Sequence, residues 1–339
     1  MIDLEHVNVV DCHMHYMPTG FQQRQQIPPG RRQLGSPDSD ARPGWSDLGE
    51  LIGVMDGAGV DLGFLLTFPH HATPFRKDGE AIHETIGRYN AAMSADLEVN
   101  GNDRFVMAAS IDPTTGPSGV KQLRHDLQLP HVRGIGLLTN YGDLWPDDET
   151  FTPIYELAGE FDVPVTLHPG SPFPSWRNAA RLHESAALGS GLGFFLVDVL
   201  AVFHMIHAGV FDRFPDVRFM FCQLGGGACS YCGRWEFHRL QAIEQAGQSN
   251  VEVPVWAKRS LAETLSRVWM DTHTQDRHGI RLAIDEAGAQ SVVLGGDYPV
   301  SSVELGMDYM QRELDALDLA PSVKRGIERD NALRLIGLV

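Results

Sequence analysis

The side chains best equipped for chemistry sit in three short stretches. His13 and His15 lie two apart in VVDCHMHYM, His168 ends VPVTLH, and Asp297 ends SVVLGGD. Three imidazoles and one carboxylate make a nitrogen- and oxygen-rich donor set suited to one divalent cation, Zn²⁺ first, with Mn²⁺ or Fe²⁺ as alternatives. The His-x-His spacing does not carry this reading by itself, because a chain with so many histidines holds roughly 0.7 such pairs by chance. Taken singly, His168 fits a packed core histidine and Asp297 a helix cap. What distinguishes them is where the surrounding elements place them.

Short apolar, β-branched runs occur at residues 8–12, 61–68, 105–110, 132–139, 163–168, 217–222, 268–272 and 291–297. Between them lie stretches with helical spacing, among them 47–59, 80–99, 152–161, 198–214, 279–288 and 303–317. Eight strand candidates alternating with helices predict a closed (β/α)8 barrel of the TIM type, spanning 1–339 as a single domain. A doubly wound open sheet is the second choice, weakened because no Gly-x-Gly-x-x-Gly follows the first strand. Residues 18–46, carrying PPGRR and ARPGW, form a long polar connection expected to act as an active-site loop. Residues 321–339 read as a closing helix. In such a barrel, chemistry collects at the C-terminal ends of the strands. His13 and His15 follow strand one and face the same way on an extended chain. His168 closes strand five and Asp297 strand eight, so all four are expected at one rim.

Composition narrows the partners. The net charge is −17, from 27 basic and 44 acidic side chains, which argues against nucleic acid and against an anionic membrane surface. No run approaches about 18 uninterrupted apolar residues, and no signal peptide is visible, so a cytoplasmic protein without a membrane span is expected. The four cysteines include Cys229-x-x-Cys232, but no second pair completes a four-thiolate site, and small packed residues are the expected role.

The pieces DCHMH, VTLHPG, GVFDRFPDVRFMFCQLGGGACSYCGR, VWMDT and LGGDYP follow one another along nearly the whole chain. In that order the sequence resembles the amidohydrolase superfamily, in the branch of aminocarboxymuconate-semialdehyde decarboxylase, aromatic acid decarboxylases and oxalomesaconate hydratase. The resemblance implies metal ligands at His13, His15, His168 and Asp297, a small-molecule carboxylate substrate, and a homodimer or higher homo-oligomer. It also implies that Arg234, after the glycine run, reaches a substrate carboxylate across a dimer interface.

One departure stands out. Where the family has a strand-six histidine, this chain has Gln223, or Leu224 as the other match; an amide cannot take up a proton near neutral pH, and a leucine is less capable still. Gln223 is therefore expected to orient substrate or water, with proton transfer assigned to His273, in MDTHTQD, or to Asp297 itself. His70, His71, His183, His204 and His207 are further candidates. Strand four offers no lysine or glutamate to bridge two ions, so one metal is expected. Arg24, Arg31, Arg32, Arg42, Arg76 and Arg177 lie in rim loops and could clamp a carboxylate; Trp45, Phe173 and Trp176 could flank a planar ring. Among these, Arg177 and Trp176 join Arg234 as the expected substrate contacts.

The expected reaction is non-oxidative decarboxylation of a small conjugated or aromatic acid by a mononuclear metal-dependent lyase. A metal-dependent hydratase or hydrolase of a C–C, ester or amide bond with the same site is the first alternative. A non-catalytic subunit beside an active homologue, suggested by Gln223, is the second.

Overall fold

The computed structural model describes residues 2–21, 42–170, 188–273 and 275–339. Eight parallel strands pair in sequence order: β1 (Val10–Met14), β2 (Leu62–Leu65), β3 (Phe105–Ser110), β4 (Val132–Leu138), β5 (Val165–His168), β6 (Phe219–Phe221), β7 (Trp269–Asp271) and β8 (Val292–Val293). The sheet curls back on itself. Cys12 N–H donates to the Leu294 carbonyl at 2.9 Å and His15 N–H to the Tyr298 carbonyl at 2.8 Å, so β1 meets the residues that follow β8. The result is the expected (β/α)8 barrel.

The helices that follow the strands are α1 (Leu48–Ala58), α2 (Ile82–Asn100), α3 (Gly116–Asp126), α4 (Thr152–Glu160), α5 (Phe194–His207), α6 (Cys232–Ser249), α7 (Arg277–Ala287) and α8 (Met307–Asp315). Their ends follow local chemistry. Asp47 caps α1 by accepting from Glu50 N–H, and Gly59 ends it in the left-handed conformation (φ 70°). Asp276 caps α7 by accepting from His278 and Gly279 N–H.

Strands covered on both faces should be mostly apolar, and they are, with Asp11, His13, His168 and Asp271 among the exceptions. Leu62, Phe64 and Leu66 share one buried cluster with Val106, Ala108, Met220, Cys222 and Val293. The intervening Leu65, Met107, Ala109 and Phe221 belong to the cluster that packs on the helices. The first cluster also takes in Ala332, Leu333, Leu335 and Ile336. Arg329 donates to the Val7 carbonyl and Arg218 to the Leu335 carbonyl. The closing segment 321–335, helical with a π turn at Gly326–Asp330, therefore seals the end where the strands begin. The other end is left for the site.

Two expectations need correction. Strand eight stops at Val293 instead of running to 297, because Gly295 and Gly296 pass too close to other strands for regular pairing. A Cβ on Gly295 would stand 2.9 Å from Cβ of Asp271 and 3.0 Å from Cβ of His13, and one on Gly296 would stand 2.6 Å from Asp11 Oδ2. The expected helix 198–214 is two: α5 ends at His207, and Gly209 (φ 69°) turns the chain into a short helix, Val210–Arg213. With its preceding π turn, Gly189–His207 is long and apolar enough to cross a membrane by composition. Within the fold it is a barrel helix, since Phe195 and Val199 back directly onto Gly226, where a Cβ would meet the Phe195 carbonyl.

Candidate metal centre

His13, His15, His168 and Asp297 converge at the strand-end rim, with one potential ligand atom from each lying within 4.8 Å of the others. The rings of His13 and His15 are 5.2 Å apart, and His168 lies 5.2 Å from His13 and 5.4 Å from His15. Asp297 Oδ1 faces His15 Nε2 at 2.8 Å and His13 Nε2 at 3.3 Å. The Asp297 backbone is left-handed (φ 57°), with its N–H on the His13 carbonyl at 2.6 Å, which turns the carboxylate into the cup.

Each imidazole is held by its other nitrogen. Nδ1 of His13 meets Asp271 Oδ2 at 2.9 Å, Nδ1 of His15 the Leu66 carbonyl at 3.2 Å, and Nδ1 of His168 the Pro169 carbonyl at 3.0 Å. A carbonyl can only accept, so Nδ1 of His15 and His168 carries a proton, which leaves Nε2 as the nitrogen turned to the cup for a metal. His13 Nε2, His15 Nε2 and Asp297 Oδ1 are buried and lack hydrogen bonds of proper geometry. Orphaned buried atoms of this kind call for a missing partner, and a cation answers all three at once. Burial would raise the Asp297 carboxyl, but His273, His13 and His15 around it hold it well below the usual range. Burial, with His13 and His15 alongside, keeps His168 neutral by pushing its pKa well down. An anionic carboxylate and a neutral imidazole are what a divalent ion requires.

A second group, His13, Cys222 and Asp271, is also closely spaced. It engages the opposite nitrogen of His13, already bonded to Asp271, so it supports the first group and is not a separate site.

His273 is buried, with Nε2 3.1 Å from Asp297 Oδ2 and its ring 5.2 Å from that of His13. Gln223 is buried directly after β6 with left-handed backbone (φ 56°), and its side-chain oxygen lacks a hydrogen bond. Both thus sit where the sequence leads one to expect. Arg234 does not join them within this chain: it is exposed on α6, over the Phe237 ring at 5.6 Å. Arg177 and Trp176, with Arg24, Arg31, Arg32, Phe173 and His183, lie outside the described residues.

Arg42 and Tyr298 fasten the far end of the long connection to the residues after β8. Arg42 donates to the Pro299 carbonyl at 2.6 Å, and Tyr298 Oη donates to the Pro43 carbonyl at 2.7 Å. Of that connection, 22–41 lie outside the described residues. Arg76 is exposed on the loop after β2. Trp45 lies 6.4 Å from His71, whose ring is 6.0 Å from His15. His204 stacks on Trp145 at 4.9 Å and His207 on Trp256 at 6.3 Å, both on the outer helix layer. Cys229 and Cys232 are free thiols that burial pushes up to about 12, which leaves them protonated and inert.

Two carboxylates were not singled out from sequence. Asp271 ends β7 fully buried and accepts from three strand ends: His13 Nδ1, Gln223 N–H at 2.8 Å and His273 N–H at 3.0 Å. Asp11 accepts from His13 N–H at 2.8 Å and Gly296 N–H at 3.0 Å, fastening β1 to the turn after β8. Burial pushes the Asp11 carboxyl up to about 7. The available signal was position, since Asp271 ends β7 in VWMDT and Asp11 stands two residues before His13 in VVDCH.

Known proteins share this arrangement of chain. A 2-amino-3-carboxymuconate-6-semialdehyde decarboxylase of Dictyostelium discoideum is 24% identical over 82% of this chain and 73% of its own length. A 2-keto-4-carboxy-3-hexenedioate hydratase of Sphingobium sp. SYK-6 is 25% identical over 56% of this chain and 50% of its own. The fold matches 5-carboxyvanillate decarboxylase of Novosphingobium aromaticivorans, solved with manganese and 4-hydroxy-3-methoxy-5-nitrobenzoic acid. That match has a TM-score of 0.78 at 18% identity, over 98% of this chain and 97% of the other. Residues 10–338 match the amidohydrolase family throughout, and the chain belongs to it.

Proposed function

We propose that this chain is a mononuclear metal-dependent lyase that removes CO₂ from a small aromatic or conjugated carboxylic acid. The observation that carries this reading is the convergence of the unpartnered Nε2 atoms of His13 and His15 with the His168 imidazole and the Asp297 carboxylate at one rim. His13, His15, His168 and Asp297 would hold the ion, and the bound ion would supply the Lewis acidity that polarises substrate oxygen. Zn²⁺ is our first choice for a set with three imidazoles. Mn²⁺, present in the 5-carboxyvanillate decarboxylase structure, and Fe²⁺ are the alternatives.

The remaining work falls to the chain. In decarboxylation the C–C bond breaks, CO₂ leaves, and the electron pair left on carbon takes a proton. The Asp297–His273 pair, 3.1 Å apart, is our source of that proton, with the imidazole as the carrier beside the carboxylate that faces the ion. Gln223 orients the substrate through its side-chain amide. Arg177 and Trp176 grip the carboxylate and the ring. Arg234 completes the grip from a neighbouring protomer in a homodimer, a role supported by its exposure beside Phe237 and Leu240, both also exposed. The whole chain, 1–339, acts as one domain, and the free thiols fit a reducing cytoplasm.

The similarity to a hydratase keeps hydration as the second reading. Metal-loaded protein incubated with a panel of aromatic and conjugated acids in D₂O separates the two. Decarboxylation gives CO₂ and one deuterium on the carbon that lost it; uptake of labelled solvent oxygen without CO₂ would establish hydration instead.

A further inference from the structure

We propose that Asp271 is the positioning residue of this centre, a single carboxylate that sets both the ligating form of His13 and the placement of Gln223 and His273. The inference rests on the metal reading above. Of the three imidazoles, His15 and His168 lean on backbone carbonyls, whereas His13 alone leans on a carboxylate, at 2.9 Å and with neither partner exposed. The two oxygens of Asp271 divide the work. Oδ2 stands where it accepts an Nδ1 proton of His13, which turns Nε2 toward Asp297 and the ion. Oδ1 takes two backbone N–H groups, those of Gln223 and His273.

These two residues need such an anchor. Gln223 opens a run of left-handed residues, Gln223 to Gly227, in which Gln223 and Leu224 pay for a conformation that only glycine adopts freely. A charge-assisted bond to the Gln223 N–H holds the start of that run. His273 follows Asp271 by two residues, and the bond from its N–H to Oδ1 curls the chain so that Nε2 reaches Asp297. β1, β6 and β7 are thereby registered to one another by one side chain.

Asp271→Asn tests the division of labour, since it preserves shape and inverts one oxygen. The amide oxygen can still accept from both backbone N–H groups. Its NH₂ now donates to His13 Nδ1, which forces the His13 proton onto Nε2, toward the ion. We expect the variant to fold with a metal-free melting temperature within a few degrees of wild type. Its affinity for Zn²⁺, read by titration against a chromogenic chelator, should fall about 10- to 100-fold. Unchanged affinity, or a fall in metal-free stability with affinity intact, would overturn the assignment and leave Asp271 a purely structural group.

Should the variant not fold, zinc-loaded wild type answers through histidine ¹⁵N resonances. We expect His13 bound through Nε2, with a slowly exchanging Nδ1 proton. Binding through Nδ1, or a rapidly exchanging proton there, would overturn the proposal. If wild type takes up no divalent ion, the metal reading fails and this inference falls with it, whereas wild-type binding with an equally competent Asn variant refutes Asp271 alone.

Discussion

On the β1, β7 and β8 side of the cup, carboxylates and glycines hold the donors; on the β5 side, aromatic packing holds His168. Asp11 and Asp271 lock His13 by backbone and by ring, and Gly295 and Gly296 let the Asp297 turn lie against both strands. Among the described residues, His168 is held by the next residue's carbonyl on Nδ1 and by Phe68 against its ring at 4.3 Å, and it has no carboxylate on Nδ1. The first side is fixed by directional bonds that tolerate little change. The second is fixed by shape, which volume-conserving substitutions should preserve.

The largest effect is expected from removing the first side's donors altogether. His13→Ala with His15→Ala should take the chain from about one divalent ion to under a tenth, by elemental analysis. Retained metal would mean that the cation sits elsewhere. Next comes chelation of wild type. Stripping the ion should cost about 4 kcal/mol if the free metal had been 1,000-fold above its dissociation constant, seen as a lower melting temperature that added metal restores.

Asp11→Ala should destabilise the protein by about 2–4 kcal/mol in urea titrations, because it orphans two buried N–H groups. Asp11→Asn keeps an acceptor and should cost far less, all the more because the wild-type carboxyl, with a pKa of about 7, is already partly protonated at neutral pH. Equal losses in the two variants would show that charge, and not acceptance, is what β1 requires there. The smallest effect belongs to the β5 side. Phe68→Leu should cost about 1 kcal/mol and change metal affinity less than about threefold. A loss as large as that of Asp271→Asn would erase the distinction between the two sides.

Much of this was legible in the sequence for physical reasons. Strands buried on both faces must be apolar runs, so all eight appear as such, and FVMAAS matches β3 end to end. The ligand set was legible because imidazoles at strand ends are chemically distinctive. Asp271 was hidden: a carboxylate beside a histidine in MDTHTQD looks like any polar strand end until β1 and β6 are brought beside it. The end of β8 was hidden too, since apolar Leu294 continues the run and only the closeness of Asp11, His13 and Asp271 forces the glycines out of the ladder. α6 left a faint trace, because among its 18 residues only Ala246 is fully buried and no apolar stripe forms. Arg234 lies on that helix, where a single chain cannot reveal what it meets.

Crystals of metal-loaded protein, measured on both sides of the absorption edge of the bound element, test the central claim most directly. The account predicts one anomalous peak per chain, within bonding distance of Nε2 of His13, Nε2 of His15, His168 and the Asp297 carboxylate. A peak remote from these four side chains, or none in protein that carries stoichiometric metal, would contradict it.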